Sequence, residues 1–192
     1  MLKKFITDFK EGILMYKKIV CIVLLLLITA NFVYAAEKPR WVTQPIYVYI
    51  PNNAGNISKL MQQAFVTWEK QSNRLVRFNY VTNPNNANIE VVFLDHVENC
   101  NSPLAVGCAR NSINHKGYYV KSKLEIAMMQ KDDADEYRPI ENIYGVMLHE
   151  IGHALGLGHT IENPRSIMFP YDLPSLQYLT KEDLSLLYKK YH

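Results

Sequence analysis

The chain has 192 residues, of which 48% are hydrophobic and 20% charged, with a net charge of +3. That length suits one globular domain plus some processing sequence. A charge so small and so dispersed argues against nucleic acid as a partner, and no internal repeat or low-complexity tract suggests a solenoid or a linker array.

Ile19 to Ile28 is an almost unbroken apolar run behind Lys17-Lys18, followed by Asn31, Val33, Tyr34, Ala35 and Ala36. A basic start, a short apolar core and small residues at its end predict a secretory signal peptide over 1–35, cut between Ala35 and Ala36. Met15 can begin such a peptide by itself, so residues 1–14 are an extended n-region or follow an upstream start. The rival reading is an uncleaved membrane anchor, since Ile19–Ala36 nearly reaches the shortest spanning length. Asn31 and the alanine pair favour cleavage, which leaves residues 36–192 as the working domain. The expected location is then secreted, periplasmic or extracellular, with membrane contact only through an uncleaved anchor.

Ile46–Ile50, β-branched and aromatic and closed by Pro51, predicts a strand. Asn52-Asn53-Ala54-Gly55 is a turn. Asn56 or Ser58 can cap a helix with Leu60, Ala64, Phe65 and Trp68 as its apolar face. Asn56-Ile57-Ser58 also matches a glycosylation sequon, which the cap explains as well. Val76, Phe78 and Tyr80 alternate as a second strand, and Ile89, Val91 and Phe93 as a third.

From Asp95 to Lys116 the pattern is irregular. Cys100 and Cys108 lie there, close enough to close a small loop after export; two free thiols are the alternative. Leu104, Ala105 and Val106 are the candidate edge strand, extending to Ala109. Tyr118–Val120 and Leu124–Met128 predict another strand, bent or straight. Lys131–Glu136 is acidic, but its spacing lacks the glycine and terminal glutamate of a calcium loop, so a solvated loop is the better reading and calcium the lesser one.

Pro139 starts a predicted helix running through Ile143, Val146, Met147, Leu148 and Ile151 to Leu155. On it His149 and His153 stand four apart and so project from one face. Gly156 can take the positive φ that ends a helix sharply, letting His159 return toward the same point. Three imidazoles suit one zinc ion with a fourth position open for water, and Glu150 lies beside the metal as the candidate general base. Ser166-Ile167-Met168-Phe169-Pro170 follows, with Met168 as a hydrophobic floor under the zinc site, a role compatible with plain core packing. The chain closes on a helix capped by Thr180 with Asp183 reaching back, its buried stripe being Leu184, Leu187, Tyr188 and Tyr191.

The extended histidine motif followed by a methionine turn is the metzincin pattern. With Thr160, the turn 166–170 and the closing helix, the chain resembles a matrixin, the matrix-metalloproteinase branch. The likeness covers most of 41–192, and its specific part is 149–171. It implies an α+β fold: a twisted, mostly parallel five-stranded sheet with three helices and a small C-terminal subdomain. It also implies zinc-dependent endopeptidase activity on protein or peptide, the substrate held extended along the edge strand Leu104–Ala109 with Leu104, Ala105 and Val106 as contacts, in a minimal secreted form expected to be monomeric. The pattern departs from the family in four ways: no cysteine-switch propeptide, no hemopexin-like domain, no second-zinc cluster around Gly117–Met129, and Tyr171 three rather than four residues past Met168. Export is then the expected safeguard, with activity as soon as the chain folds with zinc. Two other readings stay open. One is a zinc hydrolase of cell-wall peptides or amides; the other is a non-catalytic binding module on the same scaffold.

Overall fold

The chain divides into two units, Met1–Ala36 and Glu37–His192. The computed structural model describes residues 39–100, 102–130, 136–171 and 178–192, all in the second unit. The signal-peptide reading and Lys131–Asp135 of the acidic run lie outside the described residues. Among the described residues no helix is long and apolar enough to cross a membrane.

The β-branched and aromatic runs form the sheet, its strands being β1 (Ile46–Tyr49), β2 (Phe78–Val81), β3 (Ile89–Leu94), β4 (Gly107–Ile113) and β5 (Tyr119–Ala127). Their order is β2-β1-β3-β5-β4, with β4 antiparallel to β5 and every other pair parallel. Parallel neighbours require a crossover. Helix α1 (Asn56–Gln71) supplies it between β1 and β2. Helices α2 (Ile140–Ala154) and α3 (Lys181–Tyr191) follow the sheet. This is the five-stranded, mostly parallel α+β arrangement expected from the sequence.

Every second residue of the inner strands points into one core. Ile46, Val48, Ile89, Leu124 and Ile126 meet Met61, Phe65 and Trp68 of α1 and Met147 and Ile151 of α2, all fully buried. The Trp68 indole N–H donates to Leu148 O at 2.9 Å, so the largest core side chain also fixes the two helices against each other. Without that acceptor, burying the indole would leave a polar group unpaired.

Three local expectations are corrected. Leu104, Ala105 and Val106 are not a strand. Ala105 N–H donates to Ser102 O at 3.1 Å, making a turn that leaves Leu104 exposed, and the edge strand begins only at Gly107. Ala105 and Val106 instead pack on a small cluster of Val97, Cys108 and Ala127. Helix α1 is capped by neither Asn56 nor Ser58. Gly55, at φ 58°, stands at the N-cap with no side-chain bond, while the Ser58 hydroxyl turns back to Pro51 O. On α3 Tyr188 lies outside, stacked on His192, and the aliphatic stem of Lys190 takes the buried position instead. Lysine can do so because its ammonium finds an acceptor, here Pro39 O at 3.4 Å. The strand expected over Tyr118–Val120 and Leu124–Met128 is present as β5, Tyr119–Ala127.

Candidate metal centre

Helix α2 is a core helix on one side, burying Ile143, Val146, Met147 and Ile151, and a chemical face on the other. One turn apart on it, the His149 and His153 rings pack edge to face with centroids 4.6 Å apart. The helix ends at Ala154, and Gly156 takes φ 95°. A side chain there is doubly excluded, because a Cβ would also lie 2.5 Å from Pro39 O and 2.8 Å from Lys190 Cδ. The turn brings His159 back: its Nε2 is 3.2 Å from His149 Nε2 and 3.1 Å from His153 Nε2. Among the described residues these three histidines form the single group of three or more side chains able to hold a metal.

The hydrogen bonds decide which nitrogens face each other. His149 Nδ1 lies 2.6 Å from Ile167 O and His153 Nδ1 2.9 Å from Leu157 O. A carbonyl can only accept, so both Nδ1 atoms carry the proton and both Nε2 atoms present a lone pair. The His159 Nε2 lies against both of these acceptors, so in its Nε2-unprotonated tautomer the three lone pairs would call for a cation among them. Nitrogens bound tetrahedrally to zinc at ~2.0–2.1 Å stand roughly 3.3 Å apart, near the spacing here. Burial pushes all three imidazoles below their usual pKa, His149 to about 3 with help from neighbouring His153, which keeps them neutral as ligands. The donor set therefore fits zinc.

Glu150, next to His149 on the helix, reaches β4. It is buried, and one carboxylate oxygen accepts from the Ala109 backbone N–H while Oε2 has no protein partner. Burial drives its pKa up to about 8 against that single bond. The carboxylate fits only because residue 107 is glycine: a Cβ there would lie 2.6 Å from Glu150 Cγ and 2.8 Å from Cδ.

In the turn that follows, Met168 is fully buried. Gly152 makes room for it, since a Cβ at 152 would lie 3.2 Å from Met168 Cε and 3.2 Å from Trp68 Cζ2. The turn is fastened from α3 by Asp183. Its fully buried carboxylate accepts from the Ser166 hydroxyl, Ile167 N at 3.3 Å, Thr180 N at 2.8 Å and Thr180 Oγ1 at 2.7 Å. Asp183 thus holds the peptide whose carbonyl orients His149. The predicted disulfide partners also meet: Cys100 and Cys108 are bonded, tying the 95–106 loop to β4.

A sequence model of the matrixin family matches residues 39–192, which include every side chain of this centre. The chain belongs to the matrixin family. Two relatives agree at low identity. A matrix metalloproteinase candidate of Trichoplusia ni ascovirus 2c is 26% identical over 75% of this chain and 30% of its own. Metalloendoproteinase 1 of Glycine max is 25% identical over 84% of this chain and 56% of its own. The matrixin described here thus spans between about a third and just over half of the length of these relatives.

Within this matrixin, the expected ligands His149, His153 and His159 come together, while Glu150 packs on β4, Gly156 makes the turn before His159 and Met168 packs against Gly152. Leu104, Ala105 and Val106 do not reach the centre; Gly107 and Ala109 do. Gly107, Gly152 and the fastening by Asp183 escaped the sequence reading. Gly152 lies inside the histidine motif, where a small residue beneath a downstream methionine was the available signal. Gly107 lies in an irregular stretch and carried none.

Proposed function

We propose that this matrixin is a secreted zinc-dependent endopeptidase, with His149, His153 and His159 as metal ligands and Glu150 as general base. The observation that carries the reading is the pairing of two features. Three Nε2 atoms come together, those of His149 and His153 presenting lone pairs, and a buried carboxylate with one unpartnered oxygen lies on the same helix. Zinc at that point would supply Lewis acidity, polarising a peptide carbonyl and making water a nucleophile near neutral pH, at a pKa of ~7. A cation held by the histidines would favour the ionised carboxylate over the protonated form that burial alone gives it, and Glu150 then takes the proton of the attacking water on its free oxygen and delivers it to the departing amine nitrogen. Its bond to Ala109 N–H keeps the carboxylate aimed while that proton moves.

Strand β4 is the outer strand of the sheet, and Gly107 and Ala109 stand against Glu150. A peptide lying extended along this edge would gain backbone hydrogen bonds and bring a scissile bond beside the carboxylate. This favours a peptide chain as substrate over a compact amide. The Cys100–Cys108 disulfide supports an oxidising, extracytosolic location.

The test is digestion of a peptide library by zinc-loaded protein, with a chelator, with zinc restored, and with Glu150→Ala. Cleavage should depend on zinc and vanish in the variant while its zinc content stays near one equivalent. Near-normal turnover by zinc-loaded Glu150→Ala would refute the proposed base.

A further inference from the structure

The carbonyls of a helix's last turn have no partners within the helix. In α2 that turn carries His153. Ile151 O and Gly152 O are taken by Leu155 N and Leu157 N at 2.9 Å each, and His153 O accepts from Gly156 N at 2.9 Å. The rest comes from far away in the chain. Asn111 Nδ2 of β4 donates to His153 O at 3.0 Å. The buried Trp41 indole, ahead of β1, donates to Ala154 O at 2.8 Å. The Tyr191 hydroxyl at the end of α3 donates to Leu155 O at 3.2 Å. Three consecutive carbonyls are thus capped by side chains of three separate segments. Two of these donors, Trp41 and Asn111, also meet at Tyr119, whose ring lies 5.5 Å from Trp41 and whose hydroxyl is 3.5 Å from Asn111 Nδ2.

The three histidines differ in how they are held. His149 and His153 have their rings oriented by Nδ1 bonds to carbonyls. The His159 ring has no such bond; its hydrogen-bond contacts are the other two Nε2 atoms. It is also the most exposed of the three. Its place is set by the backbone on both sides: Thr160 N–H donates to Met168 O at 3.0 Å after it, and before it lies 154–158, where Leu157 is buried but Gly156 and Gly158 have the widest backbone freedom. A Cβ at Gly158 would meet nothing within 4 Å, so packing does not steer that residue.

We propose that Asn111, Trp41 and Tyr191 are positioning residues for the metal centre: by capping carbonyls 153–155 they set where His159 meets His149 and His153. Burying donors on helix-end carbonyls also stabilises the fold, but the corner they grip is the one that delivers the third ligand. The inference rests on the reading of the three histidines as ligands.

The test measures zinc affinity by chelator competition on the folded protein. It compares wild type, Asn111→Ala, Trp41→Phe and Tyr191→Phe, each with His159 intact and with His159→Ala. Outer partners of metal ligands typically change affinity by about tenfold or more. Each variant is expected to lose about tenfold when His159 is present. With His159 absent the loss should shrink to about twofold or less, within the additivity of uncoupled sites. Equal losses in both backgrounds would assign the caps to general stability and overturn the proposal, as would no loss in any variant. If His159→Ala alone left zinc affinity unchanged, the ligand assignment itself would fall, and this proposal with it. Exposed Asn111 and the single-hydroxyl change Tyr191→Phe keep the test decisive if Trp41→Phe does not fold.

Discussion

Replacing Glu150 with glutamine keeps the shape of the side chain and removes its charge, and the consequence for stability can be worked from the fold. In the metal-free protein burial raises the Glu150 pKa from 4.5 to about 8. At pH 7 the unfolded chain has released a proton that the folded chain retains, a difference of about 3 kcal/mol against folding. The raised pKa fixes the sign. The cost is absent below pH ~4.5, where both states hold the proton. It is about 1 kcal/mol at pH ~5, grows through neutrality and levels off above pH ~8. A glutamine side chain cannot ionise and so escapes it. Its second polar group stays unpaired as Oε2 does now, which leaves part of the burial cost in both proteins. The histidines titrate in both proteins as well, so to first order they cancel in the comparison. With chelator present, Glu150→Gln is expected to be about 3 kcal/mol more stable at pH 7 and only slightly more stable at pH 5, measured by urea denaturation. A stability difference independent of pH, or a less stable variant at pH 7, would refute the reasoning. The zinc-loaded variant should still lack peptidase activity, because the group that costs stability is the one that carries the proton.

Three further outcomes follow from the same geometry. Gly107→Ala puts a methyl where Glu150 Cγ and Cδ now lie, so kcat/KM should fall by about 100-fold while zinc content is kept, checked by metal analysis beside the peptide assay. Asp183→Asn turns an amide toward buried donors that now meet a carboxylate. Denaturation should show a loss of at least about 2 kcal/mol, and zinc affinity should weaken because Ile167 O orients His149. Cys100→Ser opens a loop closed by cysteines eight apart. Stability should drop by about 2–3 kcal/mol, and a reductant should reproduce that loss in the wild type but not in the variant.

The amino-acid sequence by itself carried whatever depends on short spacing along one element. Two histidines four apart share a helix face wherever the helix lies. A glycine three residues past the second histidine ends that helix, Thr180 and Asp183 form a capping box within one turn, and alternating apolar residues mark Ile46–Ile50 and Ile89–Phe93 as strands. The chemistry of the centre was legible for the same reason. What tertiary structure decided was everything settled by a neighbour distant in sequence. Strand β4 showed no period because only part of one face packs while its outer edge stays free, so Gly-Cys-Ala-Arg-Asn-Ser-Ile gave no alternation, and the more apolar Leu104–Val106 drew the assignment instead. The need for glycine at 107 exists only because Glu150 arrives from another element. Tyr188 and Lys190 exchange their expected places because Pro39 O offers an acceptor that α3 alone does not reveal. Asp183 reads as a helix cap along the chain, and only packing against the methionine turn makes it a support for His149 as well. Local geometry repeats along a sequence and can be read there, whereas contacts between remote segments exist only once the chain has folded.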